Sequence, residues 1–361
     1  MNLVRFSGIM LLLLLMAVAC SRQQKYTLNA EETLGKKLFF DALLSDPQGQ
    51  SCATCHRPER GFADTLGRNV SEGIIKGLFS MRNSMSIAYA AFVPALSYDA
   101  EEETYVGGLF WDGRVNSVEE QAGEPFLNPL EMAAEKEGVV RQVKKAAYYP
   151  ELVRLYGDSQ ESDSVYAYIT RALAAYEASE EVNPFSSRFD AYLAGKCQLT
   201  ERELKGMDLF KNKGMCAECH IMEPDPRAGK ILFTDHTYDN LGIPRNEKLV
   251  FYSLPMEYNP GGRDTVDFGL GGFLRDSLQY GKFRVPTLRN IALTAPYGHN
   301  GYFETLEDIV HFYNVRDVSD EYPAPEYPMT INRDELGDLK LTPDEEACLV
   351  EFMKMLTDHY Q

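Results

Sequence analysis

At 361 residues, with 44% hydrophobic and 25% charged residues, the chain has the composition of a globular protein of one or two domains. Its formal net charge of −18 argues against nucleic acid as a partner, because phosphate binding needs clustered Lys and Arg. The same acidity suits a small basic protein, drawn in by electrostatic steering.

Residues 1–19 read as an export leader. Arg5 supplies the positive start and Ile9 to Met16 the apolar run, which is too short to span a membrane. The run ends in Ala17-Val18-Ala19-Cys20, small residues before a cysteine. This resembles a bacterial lipoprotein cleavage site and predicts Cys20 as the lipidated first residue of the mature protein. No later stretch could be a transmembrane helix. The expected location is the periplasmic face of a bacterial membrane, reached by export and held by the lipid anchor only.

Next comes a repeat. Asn29-Ala30-Glu31-Glu32-Thr33-Leu34-Gly35-Lys36-Lys37-Leu38-Phe39 matches Thr200-Glu201-Arg202-Glu203-Leu204-Lys205-Gly206-Met207-Asp208-Leu209-Phe210. Each copy opens on a capping residue with Glu three later and ends Gly-x-x-Leu-Phe. That predicts a capped helix with an apolar stripe. The glycine is expected to let a second helix or a bound group come close.

Each copy leads into the same pentapeptide, Cys52-Ala53-Thr54-Cys55-His56 and Cys216-Ala217-Glu218-Cys219-His220. Cys-x-x-Cys-His is the attachment signal for c-type haem. Two thiols add to the haem vinyl groups, and the His ligates the iron. A lone Cys-x-x-Cys could be a zinc half-site or a redox dithiol. Two copies, each ending in His and in an exported chain, predict two covalently bound haems c. Cys197 and Cys348 remain, and are expected as two buried thiols rather than a disulfide.

A loop rich in Gly, Ser and Asn follows over residues 61–84. Residues 164–180 read as a helix with Ile169, Leu173 and Tyr176 on one face, broken at Asn183-Pro184. The domain boundary is placed near residue 195, giving units 20–195 and 196–361. Residues 222–286 are Gly/Pro-rich with little helical signal. Thr305 to Asn314 reads as a helix. The last helix begins after Thr342, with Pro343 at its first position and Glu345 three after the cap. Leu349, Phe352, Met353 and Leu356 form its stripe. The expected fold is mainly α: two cytochrome c-like haem domains packed together, with long irregular loops.

Together with Leu109-Phe110-Trp111-Asp112-Gly113-Arg114 and Val285-Pro286-Thr287-Leu288-Arg289-Asn290, these motifs resemble the bacterial di-haem cytochrome c peroxidases and their MauG-type relatives. The resemblance spans roughly residues 28–357. It implies that Trp111 lies between the haems and relays oxidising equivalents. It places Gln121 and Glu131 in the distal pocket of the first haem. There a carboxyl group can take a proton from peroxide and return it to the leaving oxygen. It also implies a calcium ion between the haems, held by the Asn83 side chain and the carbonyls of Thr294 and Pro296, oxygen donors that suit a hard cation. It leaves room for a homodimer.

Three departures refine this expectation. Peroxidase-type members carry a second His ligand about sixteen residues after the first haem His, but here Asn69-Val70-Ser71-Glu72-Gly73 has none. The first haem is thus expected to be open without prior reduction. Position 313, fourteen after His299, is Tyr as in MauG-type enzymes, where the peroxidases have Met. Tyr313 is the expected ligand of the second haem, with His311 on the opposite helical face. His299 is expected near that haem without ligating it, and His236 and His359 in a loop and the tail. MauG-type enzymes use a surface Trp six residues before the second haem His; Gly214 stands there in this chain. The expected function is peroxide reduction with electrons from a small cytochrome c or cupredoxin. The alternatives are a MauG-type oxidase of a protein partner and a non-catalytic electron-transfer cytochrome.

Overall fold

The computed structural model describes residues 26–64 and 69–359. The expected leader and the lipidated Cys20 lie outside the described residues. Helices carry the regular structure. Among the described residues only two small antiparallel sheets form, pairing Ser97–Asp99 with Thr104–Val106 and Tyr238–Asp239 with Phe283–Arg284.

The sequence repeat is a structural repeat. The helix Ala30–Phe39 starts at Asn29, whose side chain accepts from the Glu32 amide while Glu32 takes the Asn29 N–H. The helix Glu201–Lys211 starts the same way from Thr200 and Glu203. Each packs on a later helix: Ala30–Phe39 on Ser162–Glu177, and Glu201–Lys211 on Pro343–Lys354. A Cβ on Gly35 would lie 1.9 Å from the Ala172 carbonyl oxygen, and one on Gly206 2.0 Å from that of Cys348. Even a methyl group would force the helices apart, and overpacking of this kind costs about 1–3 kcal/mol. The close approach expected of each glycine is therefore helix on helix. Four residues on, Phe39 meets Tyr176 with ring centroids 5.3 Å apart, and Phe210 meets Phe352 at 5.2 Å.

Two apolar cores grow from these crossings. Ile169, Leu173 and Tyr176 are buried in the first, and Leu349, Phe352, Met353 and Leu356 in the second. Each such side chain contributes about 1.5–3 kcal/mol by leaving water. Helices Val118–Leu127, Lys136–Lys145 and Tyr149–Tyr156 pack round Ser162–Glu177 and complete the first unit. The helix Leu306–Val315, capped by Thr305, completes the second. Residues 222–286 are largely irregular, as their Gly and Pro content predicts, apart from short turns, the paired strands Tyr238–Asp239 and Phe283–Arg284, and the helix Gly269–Leu274. The short helix Arg188–Leu193 sends Phe189 into the second core, so by packing it goes with the C-terminal unit. Cys348 is fully buried. Cys197 is only half-buried and its Sγ lies 3.7 Å from the Arg188 carbonyl; no disulfide joins the two.

Polar bonds tie the halves together. Arg82 pairs with Asp112 and Asp267, both at 2.6 Å, and the Tyr89 hydroxyl donates to Asp358 at 2.6 Å. Val70 and Leu78 pack with Leu249 and Phe251 in a third, smaller cluster between loops of both halves.

Candidate functional site: two cavities sharing one wall

The first pentapeptide forms the single turn Cys52–Cys55, and the second the turn Cys216–Glu218. Cys52, Cys55 and His56 line one cavity; Cys216, Cys219 and His220 line another. Each imidazole is oriented by a backbone carbonyl. His56 Nδ1 lies 3.2 Å from the Phe62 oxygen and His220 Nδ1 2.9 Å from that of Phe233. A proton on Nδ1 satisfies these bonds and leaves the Nε2 lone pair free for a metal. Burial pushes both imidazoles down, His220 to about 4, so both rings stay neutral.

Trp111 lines both cavities. Its indole N–H donates to the Asn83 carbonyl at 2.9 Å, and its own carbonyl accepts from the Arg284 amide at 2.9 Å. The indole is thus a fixed partition between the two sites. Gln121 and Glu131 both line the first cavity. Burial raises the Glu131 carboxyl above its ordinary value; Arg114 and a 2.9 Å bond from the Asn128 amide oppose the shift. Arg114 is itself held over the Phe110 ring and by Asp112 at 2.8 Å. Among the residues lining this cavity, His56 is the single imidazole.

Tyr313 lines the second cavity, and burial pushes its phenol up. His311 points elsewhere, to Glu346 at 3.0 Å and Glu321 at 3.3 Å. The opposite faces expected of these two residues are therefore observed. His299 lines the second cavity, stacked on Phe283 at 3.6 Å, and its Nε2 has no hydrogen-bond partner. His359 is exposed near the end of the chain. His236 lies in a loop, as expected. It is buried on the wall of the second cavity, with neither ring nitrogen hydrogen-bonded. Its backbone folds inward because the neighbouring Thr234 hydroxyl is buried and bonds to Val285.

Asn83, Thr294 and Pro296 meet at the second cavity. The Asn83 amide lies 3.2 Å from both the Pro296 and the Asn69 carbonyls. Turned over, the same amide would direct its oxygen toward the Pro296 and Asn69 carbonyl oxygens.

Two further cavity residues escaped sequence reasoning. Glu177 is buried against the first cavity with one carboxylate oxygen unpartnered, and burial raises it to about 8. It falls four residues after Leu173, so a carboxyl inside an apolar stripe was the available signal. Arg284 is buried between the cavities, lining both, and reaches only the Phe110 carbonyl and the Met85 sulfur. Cys219, Asp239 and Glu335 also place ligand atoms within 4.8 Å of one another, a grouping that a thioether at Cys219 would disband.

Each cavity thus combines a cysteine pair, a neutral imidazole with a free Nε2 and apolar walls, a set that fits haem c. The comparisons agree. A family profile described as di-haem cytochrome c peroxidase matches residues 29–198. The chain is 35% identical to the methylamine utilization protein MauG of Paracoccus denitrificans (strain Pd 1222), over 96% of this chain and 94% of that one. It is 31% identical to the cytochrome-c peroxidase IdrP1 of Pseudomonas sp. (strain SCT), over 90% of this chain and 80% of that one. The diheme peroxidase BthA from Burkholderia thailandensis E264 superposes with a TM-score of 0.79 at 32% identity, covering 93% of this chain and 88% of that one. The chain therefore belongs to the di-haem cytochrome c peroxidase and MauG family. Membership makes two covalent haems c its cofactors.

Denatured protein should accordingly keep two haems per chain in a pyridine haemochrome assay after acid–acetone treatment. One haem, or haem that extracts, would contradict the assignment of both pentapeptides.

Proposed function

We propose that the protein is an exported, lipid-anchored peroxidase that reduces hydrogen peroxide to water in the His56 cavity, with electrons entering through the His220 cavity. One peroxide, two electrons and two protons give two waters. The observation that carries this reading is a half-buried carboxyl, Glu131, raised above its ordinary value by burial, on the wall of the same cavity as Gln121, with a single imidazole lining it. When bound, the two haem irons supply the redox chemistry and store oxidising equivalents. Glu131 takes a proton from the peroxide oxygen nearer the iron and returns it to the leaving oxygen. Gln121 holds the peroxide by hydrogen bonds without titrating. Trp111, as the shared wall, passes electrons between the cavities. His56 and His220 would hold the two irons, and Asn83 with the Thr294 and Pro296 carbonyls would hold calcium against the same partition. The electron donor is a small cytochrome c or cupredoxin.

Tyr313 is assigned as the second ligand of the His220 haem, bound as phenolate. A buried phenolate needs a compensating cation, which ferric iron provides. The same residue, with the likeness to MauG, favours a second reading in which a protein partner is oxidised in place of a small donor. Gly214 leaves that reading without the surface Trp used by MauG-type enzymes. An open first cavity with Glu131 in it disfavours a purely electron-transferring cytochrome.

Glu131→Gln should retain both haems and slow peroxide cleavage by about a hundredfold. In wild type the working carboxylate is lost as pH falls through a pKa above the usual carboxylate range, so the rate should drop there. The Gln variant should lack that limb. Wild-type rates in the variant would return Glu131 to a structural role.

Tyr313→Met should change the ferric optical spectrum and raise the reduction potential of the second haem, because a neutral thioether stabilises ferrous iron where a phenolate does not. An unchanged ferric spectrum would refute ligation by Tyr313.

A further inference from the structure

With Gly214 supplying no side chain, the second cavity needs another route to its surroundings. Its wall also contains Tyr327. The Tyr327 ring centroid lies 5.7 Å from that of Tyr280, and Tyr280 lies 4.4 Å from Phe268. Phe268 also meets Tyr327 at 5.7 Å and is 36% exposed. Three mutually touching rings therefore run from the cavity wall to the surface.

The cluster is held in place by its backbone. The buried Asn240 amide donates to the Tyr327 carbonyl and the Thr330 hydroxyl, both at 2.9 Å. The Thr330 hydroxyl donates to the Tyr280 carbonyl, and the Gly281 N–H to that of Phe268 at 3.1 Å. Gly281 has φ +76°, and a Cβ there would lie 3.1 Å from the Tyr327 ring, so its absence lets the ring rest on the backbone. Ordinary core packing does not account for these rings. None of the three belongs to the apolar cores, and all are half-buried or exposed. Edge-on and tilted ring contacts at these separations place the π systems in direct contact. Partial exposure also gives both phenols water as a proton acceptor.

We propose that Tyr327 and Tyr280 form the electron path between the His220 haem and the outside, opening beside Phe268. The proposal rests on the peroxidase reading and names its entry route. Hydrogen peroxide is the oxidant. Tyr327 gives one electron to the oxidised His220 site and its phenolic proton to water. Tyr280 re-reduces Tyr327 by giving up one electron and its own phenolic proton to water, and Tyr327 takes its lost proton back from water. A one-electron donor protein then reduces Tyr280, and water returns the proton. Two passages supply the two electrons that convert one peroxide into two waters.

The test treats the holoenzyme with peroxide in the absence of donor and in the presence of a nitrone spin trap. Adducts are mapped by peptide mass spectrometry, and radicals followed by freeze-quench EPR. Wild type should carry the adduct on Tyr280 or Tyr327. Tyr327→Phe keeps the ring and its packing and removes only the phenol. It should abolish the Tyr280 adduct and slow turnover with reduced cytochrome c about tenfold or more. Tyr280→Phe should confine the adduct to Tyr327. Haem content and the ferric spectrum confirm that each variant is folded. If peroxide is consumed but neither tyrosine is trapped, or if Tyr327→Phe leaves the Tyr280 adduct in place, the relay is wrong and the peroxidase reading stands. If wild type does not consume peroxide, both fall together.

Discussion

The hydrogen bond from the Trp111 indole to the Asn83 carbonyl sets the relation between the two haem cavities. Asn83 is itself fixed from both halves of the chain: its amide reaches the Asn69 and Pro296 carbonyls, and its N–H donates to His299. On the other side Arg284 binds the Trp111 carbonyl through its amide and the Phe110 carbonyl through its guanidinium. Arg82 holds the neighbouring Asp112 while pairing with Asp267. A loop from the first unit and a strand from the second thus clamp one indole.

The cavities differ in what they offer beyond the haem ligands. The first has hydrogen-bonding groups and a raised carboxyl on its wall, the equipment for proton transfer. The second has the phenol of Tyr313, two buried histidines with ring nitrogens that lack hydrogen bonds, and an aromatic cluster at its wall. This asymmetry arises although both units are built on one helix crossing. The repeated crossing supplies the scaffold, and the loops around it supply the different chemistry.

Much of the scaffold was legible in the sequence. The capping boxes at Asn29, Thr200, Thr305 and Thr342 are local signals, and each marks an observed helix start. Gly35 and Gly206 announced a close approach, since nothing larger fits beneath the crossing carbonyls. The pentapeptides are contiguous and could be read directly. The trio Asn83, Thr294 and Pro296 could not: its members come from distant segments, and only the resemblance brought them together. His236 lies in a loop as expected; its burial went unread because an isolated His in an irregular loop has no periodicity to report it. Arg284 and Tyr327 were missed for the same reason. Their roles depend on which loops meet across the second cavity, and residues 222–286 carry little local pattern. The boundary near residue 195 was placed after the helix break at Asn183-Pro184 and ahead of the second repeat, whereas Phe189 follows the core it packs into.

The central claim is that the first cavity is a peroxide site open in the resting enzyme, because His56 is the single imidazole lining it. Stopped-flow mixing of the fully ferric holoenzyme with hydrogen peroxide tests this most directly. The account predicts an immediate change in the haem absorption spectrum without any added reductant. An enzyme that stays spectrally silent until one electron has been supplied would contradict it.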